Sequence, residues 1–362
     1  MPWIELKYSK KAVSRAGDYL INGELDLING ELDFENFVDS YETLENWRSS
    51  HEYPIQSMLG YFRKKAFEVD PDAIVVRRLK RTPSILAKLR REGRMKLDRM
   101  EDIGGCRIVV ANKKQVYEVR DAIVDGRTRN TLRRHRDYIK QPKESGYRGI
   151  HVVYRYNGQK DQYSAHSIEL QIRSKVQHAW ATAVEVVGTF TGQGLKASQG
   201  HDAWLNFFKL ASIAFEDIEN RALAKKANSP ERLELIKNFE RLGVLHKLRA
   251  FAVSTQHLGR DKKNKNDYFL LVLEVDKSNI KVMRYSKNHL DFATQKYAKL
   301  EKEYKENESR DVVLVSAESV HGLKKAYPNY FADTTEFSKN IERIIEANKA
   351  LQRTKLKADA SL

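Results

Sequence analysis

The chain has 362 residues, 41% of them hydrophobic and 31% charged, with a formal net charge of +16. That composition supports a packed core, and no apolar run approaches the roughly 18–20 residues needed to cross a bilayer, so no membrane-spanning helix is expected. The single cysteine, Cys106, excludes an internal disulfide and any cysteine-ligated zinc site.

The opening MPWIELKYSKK lacks the apolar stretch of a secretory leader, so a reduced, cytoplasmic setting is expected. The cationic excess concentrates polyanions near the surface. Because the basic residues are clustered, nucleic acid and nucleotides are the natural partners, with a plain solubility surface as the alternative.

Residues 8–22 and 34–48 carry apolar side chains at helical spacing, and 53–68 form a third helix entered through Pro54. Strands are predicted at 105–111, 150–156 and 167–173, with helices over 113–124 and 174–187. A glycine-rich loop follows at 188–200, then a helix at 202–222. Polar residues 223–232 suggest a boundary, followed by a connecting helix over 231–250. Beyond it come strands 268–275, 280–285 and 311–316, helices over 289–305, 318–326 and 335–352, and ten frayed terminal residues. This is a mixed α+β pattern in two domains.

In the strand 167–173, Ile168, Leu170 and Ile172 share one face, and Glu169, Gln171 and Arg173 share the other. A carboxylate, an amide and a guanidinium aligned this way either face water or hold a ligand. Asp102 precedes Gly104, Gly105 and a β-branched strand carrying Arg107. It is either a turn cap or a ligand for Mg²⁺, which favours one or two carboxylates plus phosphate oxygens.

In the basic run 77–99, Lys80, Arg81 and Lys88 flank Ser84, which is read as capping a helix that starts near Ile85. A helix N-terminus with such neighbours suits phosphate; a solvated face explains the later part equally well. Residues 133–151 read as a cation-rich loop around an exposed aromatic platform, Tyr147, which suits a base, or as a polar loop whose tyrosine packs down. His178, Thr182 and Glu185 fall at helical spacing. No GxxxxGK[ST], HExxH or protein-kinase catalytic loop occurs.

Several segments, taken in order, resemble the synthetase domain of the RelA/SpoT family over about residues 46–215. They are Arg78-Leu79-Lys80 with Ser84-Ile85 and Lys88; Asp102-Ile103-Gly104-Gly105-Cys106-Arg107; Asp137-Tyr138-Ile139 with Pro142-Lys143 and Gly146-Tyr147-Arg148-Gly149-Ile150-His151; and Glu169-Leu170-Gln171-Ile172-Arg173 with His178. Gly149 departs from the family's usual serine.

The resemblance implies a mixed β-sheet flanked by helices and a pyrophosphokinase that moves the β,γ-pyrophosphate of ATP to a ribose hydroxyl. Arg78 and Arg107 would sandwich adenine, with Lys80, Arg81, Ser84 and Lys88 on the phosphates. Asp102 and Glu169 would hold Mg²⁺, Glu169 doubling as a base. Tyr147 would stack on the acceptor base, with Lys143, Arg148, His151, Gln171, Arg173 and His178 around the acceptor.

The N-terminal context and Tyr327-Pro328-Asn329-Tyr330 resemble single-chain toxin–antitoxin members of the CapRel type. By that resemblance, residues 1–225 are the toxin, 226–250 a connecting helix, and 251–362 a pseudo-zinc-finger-like antitoxin domain with a terminal helix. Tyr327 and Tyr330 would cover the nucleotide site, and a phage protein such as a capsid component would release it. The implied acceptor is the 3′ CCA end of tRNA. A synthetase acting on a free nucleotide and a non-enzymatic RNA-binding module are the alternatives.

Overall fold

The computed structural model describes residues 3–29, 33–80, 82–158, 160–164, 166–190, 195, 200–245, 248, 268–274, 279–304, 310–316 and 330–359. The chain divides into two compact units: Met1–Gln141 with Gly149–Lys175, and Pro142–Arg148 with Val176–Leu362.

The first unit opens with α1 (Lys10–Asn29), α2 (Phe34–Ser50) and α3 (Glu52–Val69). Asp33 caps α2 by accepting the Asn36 amide, and Pro54 sits in the first turn of α3, where no intrahelical donor is lost. β1 (Ile74–Leu79), α4 (Thr82–Arg91), β2 (Gly104–Val110), α5 (Lys113–Val124), β3 (Thr131–Asp137), β4 (Ile150–Arg155) and β5 (Ser167–Ser174) follow. The sheet order is β1-β2-β5-β4-β3, with β2 parallel to β5 and the other neighbours antiparallel.

Register assigns the two faces. Val75, Ile108, Ile172 and Ile150 lie opposite one another in turn. They are packed with Met58 and Phe62 of α3 and Val116 and Ile123 of α5 in one buried cluster. Fully burying side chains of this kind stabilises the unit by roughly 1.5–3 kcal/mol each. The opposite face carries Arg78, Gly105, Glu169 and Val153 in one row and Arg107, Gln171, His151 and Arg136 in the next. Helices α1, α2 and α4 bury a separate cluster around Val13, Trp47 and Leu89.

Strands β1 and β3 were not expected. Both carry consecutive arginines that hide the period-2 pattern, and β3 is an edge strand whose residues 131–136 are all exposed. The region read as a loop from 133 therefore begins as a strand.

Next to β2, two histidines are buried together. His51 Nδ1 donates to the Trp47 carbonyl at 2.8 Å, His166 Nε2 bonds Ser50 Oγ at 2.8 Å, and the two rings lie 4.5 Å apart. Burial, with the neighbouring imidazole, holds His51 well below its ordinary value, and burial pushes His166 down to about 4. Between about pH 6.5 and 4 the unfolded chain binds protons that the folded chain refuses, so stability falls as pH falls. His166 alone accounts for about 2 kcal/mol by pH 5. Thermal melts should drop by several degrees from pH 7 to pH 5; a flat profile would contradict neutral burial.

In the second unit, α6 (Lys175–Phe190) leads from Val176 onward to α7 (Asp202–Glu219) and α8 (Pro230–Arg241). Helix α6 extends three residues, 188–190, into the expected glycine-rich loop. Ser229 caps α8, with Pro230 at its first position. The helix expected over 231–250 ends at Arg241 because Gly243 turns left-handed at φ 57° just past the cap.

β6 (Tyr268–Glu274), β7 (Asn279–Tyr285) and β8 (Arg310–Ser316) form an antiparallel sheet ordered β7-β6-β8. Leu300 of α9 (Leu290–Tyr304) packs on its Leu270, Val272 and Val312. Helix α10 (Tyr330–Asp359) reaches further than 335–352 at both ends, so residues 353–359, expected to be frayed, are helical, and the last three lie outside the described residues. Phe337 of α10 is fully buried, its ring 5.1 Å from Phe215 and 5.9 Å from Phe208 of α7. The helix expected at 318–326 lies outside the described residues. Among those residues, no helix is long and apolar enough to cross a membrane.

Candidate active site

Asp102 lies between the short 3₁₀ turn Leu97–Arg99 and β2. Lys80 Nζ donates to its Oδ2 at 2.7 Å and Lys88 Nζ to its Oδ1 at 2.9 Å. Burial acts to raise the Asp102 carboxyl, but the two ammonium groups outweigh it and hold the group below its ordinary value. Lys80 is itself pushed down by burial, with Asp102 opposing.

Glu169 sits on β5 opposite Gly105. A Cβ at Gly105 would overlap the Glu169 carbonyl, so only glycine lets the two strands approach here. His151 Nδ1 donates to Glu169 Oε1 at 2.8 Å and Gln171 Nε2 to Oε2 at 2.7 Å. Gln171 Oε1 in turn accepts from Arg173 at 2.9 Å and from Arg107 at 3.5 Å. Burial favours the neutral Glu169, yet His151, these hydrogen bonds and Arg78 keep it ionised far below the usual carboxylate range.

Two residues missed from sequence fix Lys80. Arg48 Nε donates to the Lys80 carbonyl at 2.7 Å, while the Lys80 amide donates to the Ile103 carbonyl at 2.7 Å. Glu45 pairs with Arg48 and accepts from the Thr82 hydroxyl at the first position of α4. Only the pairing of distant helices reveals this clamp; no local pattern marks it.

The structure thus brings together Lys80, Lys88 and Asp102, and separately Arg107, His151, Glu169, Gln171 and Arg173, with Arg78 opposite Gly105 in the sheet. Asp102 leads into β2 and Glu169 lies on the adjacent parallel strand β5 opposite Gly105, so neighbouring strands carry the two carboxylates. Ser84 is exposed two residues inside α4 and does not cap it, since α4 starts at Thr82. Arg81 and Tyr327 lie outside the described residues, and of Tyr330 only its place at the start of α10 is described.

Lys143, Tyr147, Arg148 and His178 belong to the second unit. Tyr147 is buried, not an exposed platform. Its ring lies 6.4 Å from that of Trp180, and Lys143 Nζ lies 5.3 Å from its centre. Trp180 Nε1 donates to the Phe208 carbonyl, and Arg148 reaches Ser212 at 3.2 Å and Glu216 at 2.6 Å. His178 is buried on α6.

The donor set suits Mg²⁺ in kind: two ionised carboxylates offer hard oxygen ligands. Among the described residues no cluster of three His, Cys, Asp or Glu could hold a metal. An ion here would therefore complete its shell with phosphate oxygens and water.

Residues 77–187 match the family model described as a region found in RelA / SpoT proteins. The GTP pyrophosphokinase YjbM of Bacillus subtilis (strain 168) is 36% identical over 115 residues, 31% of this chain and 54% of that protein. The GTP pyrophosphokinase of Escherichia coli (strain K12) is 29% identical over 135 residues, 37% of this chain and 17% of that protein. The chain thus spans about half, or less, of these relatives. The small alarmone synthetase 1 from Bacillus subtilis, bound to its product pppGpp, aligns with a TM-score of 0.43 at 24% identity, covering 51% of this chain and 97% of that one. Asp102, Glu169 and the side chains that grip their carboxylates all fall inside the segment that is similar to the region found in RelA / SpoT proteins.

Proposed function

We propose that this protein is an ATP-dependent pyrophosphokinase whose acceptor is the 3′ CCA end of tRNA. The observation that carries the enzymatic reading is the pair of ionised carboxylates, one gripped by two lysines and the other by His151 and Gln171, within a RelA/SpoT segment.

In the proposed step, an acceptor ribose hydroxyl oxygen attacks the β-phosphorus of ATP. The bond from that phosphorus to the oxygen bridging toward the α-phosphate breaks, and AMP leaves. Glu169 would take the hydroxyl proton. Lys80 and Lys88 stabilise charge on the phosphates, and the Arg48–Glu45 clamp fixes where Lys80 can reach. Mg²⁺ held by Asp102 and Glu169 would neutralise phosphate charge. Arg78 and Arg107 would flank adenine, with Arg81 and Ser84 near the phosphates. His151 and Gln171, beside Glu169 on the same sheet face, would receive the acceptor. Such transfer depends mainly on positioning and charge stabilisation.

The large cationic excess favours an extended polyanion as acceptor. The names of the relatives favour a second reading, transfer to a guanosine nucleotide. Incubation with β,γ-labelled ATP and either deacylated tRNA or GDP and GTP separates the two. Label is expected on tRNA; label on free nucleotide alone decides for the second reading, and no transfer to any acceptor removes both.

We further propose that residues 251–362 restrain residues 1–225 through Tyr327 and Tyr330, and that a phage protein such as a capsid component relieves the restraint, as in a fused toxin–antitoxin defence system. Tyr327→Ala and Tyr330→Ala should then raise label transfer by the full chain. Equal transfer by both variants and the parent rules the restraint out.

A further inference from the structure

Strand β3 and the residues before it, 127–136, read RTRNTLRRHR: five arginines, one histidine and no acid. Residues 131–136 are all exposed, as are Arg127 and Arg129. β3 is an edge strand, and among the described residues one side of its backbone has no sheet neighbour. Charge on an edge prevents strand-to-strand aggregation, but one or two lysines or a proline suffice for that. Five arginines in ten residues exceed the need.

Register ties this strip to the carboxylate. Arg134 stands opposite Val153 and Arg136 opposite His151; Val153 and His151 stand opposite Glu169 and Gln171. Arg134 and Arg136 therefore extend the face that bears Glu169 outward to the sheet edge. Glu101, next to Asp102, pairs with Arg134 at 3.3 Å. A row of guanidinium groups suits phosphodiesters, which it can bind bidentately. Leu132 is the only apolar side chain in the run, too little to insert into a bilayer.

We propose that β3 and the arginines before it dock the phosphodiester backbone of the RNA acceptor, delivering its end to the Glu169 face. This rests on the tRNA reading above. The test is filter binding of deacylated tRNA to the full chain and to the triple variant Arg127→Gln, Arg129→Gln, Arg133→Gln, over a range of salt concentrations. ATP binding and label transfer are followed in parallel.

The triple variant should bind tRNA about tenfold more weakly, and its slope of log affinity against log salt should be shallower by about 2. ATP affinity should stay at the parent value. If the parent binds tRNA and the variant matches it in affinity and slope, the docking strip is overturned while the tRNA reading stands. If the parent binds no tRNA, the strip and the tRNA reading both fall, while transfer to GDP or GTP still reports the pyrophosphokinase. Equal competition by polyglutamate would assign the strip to acidic protein and overturn RNA as its occupant.

Discussion

Glu169→Gln is expected to lower label transfer by about 10²–10⁴-fold, the range for removing a general base. The substitution keeps the side-chain shape but removes the charge. It also sets an amide donor against either His151 Nδ1 or Gln171 Nε2, each of which now donates to a carboxylate oxygen. One of these buried donors loses its acceptor, at a cost of about 1–3 kcal/mol. Single-turnover assays with labelled ATP, beside a thermal melt, separate lost chemistry from lost folding. A variant that melts normally and transfers within threefold of the parent would falsify the assignment.

The largest stability effect is expected at Asp217, in the second unit. Its side chain is 5% exposed and accepts from Lys226 at 2.8 Å and from Arg232 at 3.0 Å. Arg232 is 1% exposed and leans on the Leu223 carbonyl at 3.5 Å. Asp217→Ala strands a buried guanidinium and should cost about 3–5 kcal/mol, read as a lower urea midpoint. Adding Arg232→Met removes the stranded charge and should recover much of that loss. A single variant within 1 kcal/mol of the parent would show that water reaches this pair. The effect extends beyond α7 and α8, because Ser212 and Glu216 of α7 hold Arg148 beside Tyr147.

Much of the carboxylate site was legible because it rests on local patterns. Alternation along β5 set Glu169, Gln171 and Arg173 apart from the core face, and the register agrees. Gly105 beside Asp102 makes a close approach to the Glu169 carbonyl that any side chain would block. Tertiary contacts were invisible. Nothing around Glu45 or Arg48 announces that Arg48, 32 residues upstream, grips Lys80. Tyr147 looked exposed because its cover, Trp180, arrives from a later helix. β3 was hidden because its arginines obey the demands of a surface, not the alternation of a half-buried strand.

The burial of Phe337 bears on how this protein can be shortened. A chain cut at residue 225 keeps Phe207, Phe208 and Phe215 but loses the ring that packs against them. The cut also removes Ala227 and Asn348, which are joined at 2.8 Å by the Asn348 side-chain amide donating to the Ala227 carbonyl. Such a fragment would be sticky for reasons unrelated to regulation, and poor growth or poor yield would mislead. Excising 251–329 and joining the flanks through a flexible linker keeps the terminal helix as a lid on that aromatic patch. So does supplying 330–359 as a separate peptide.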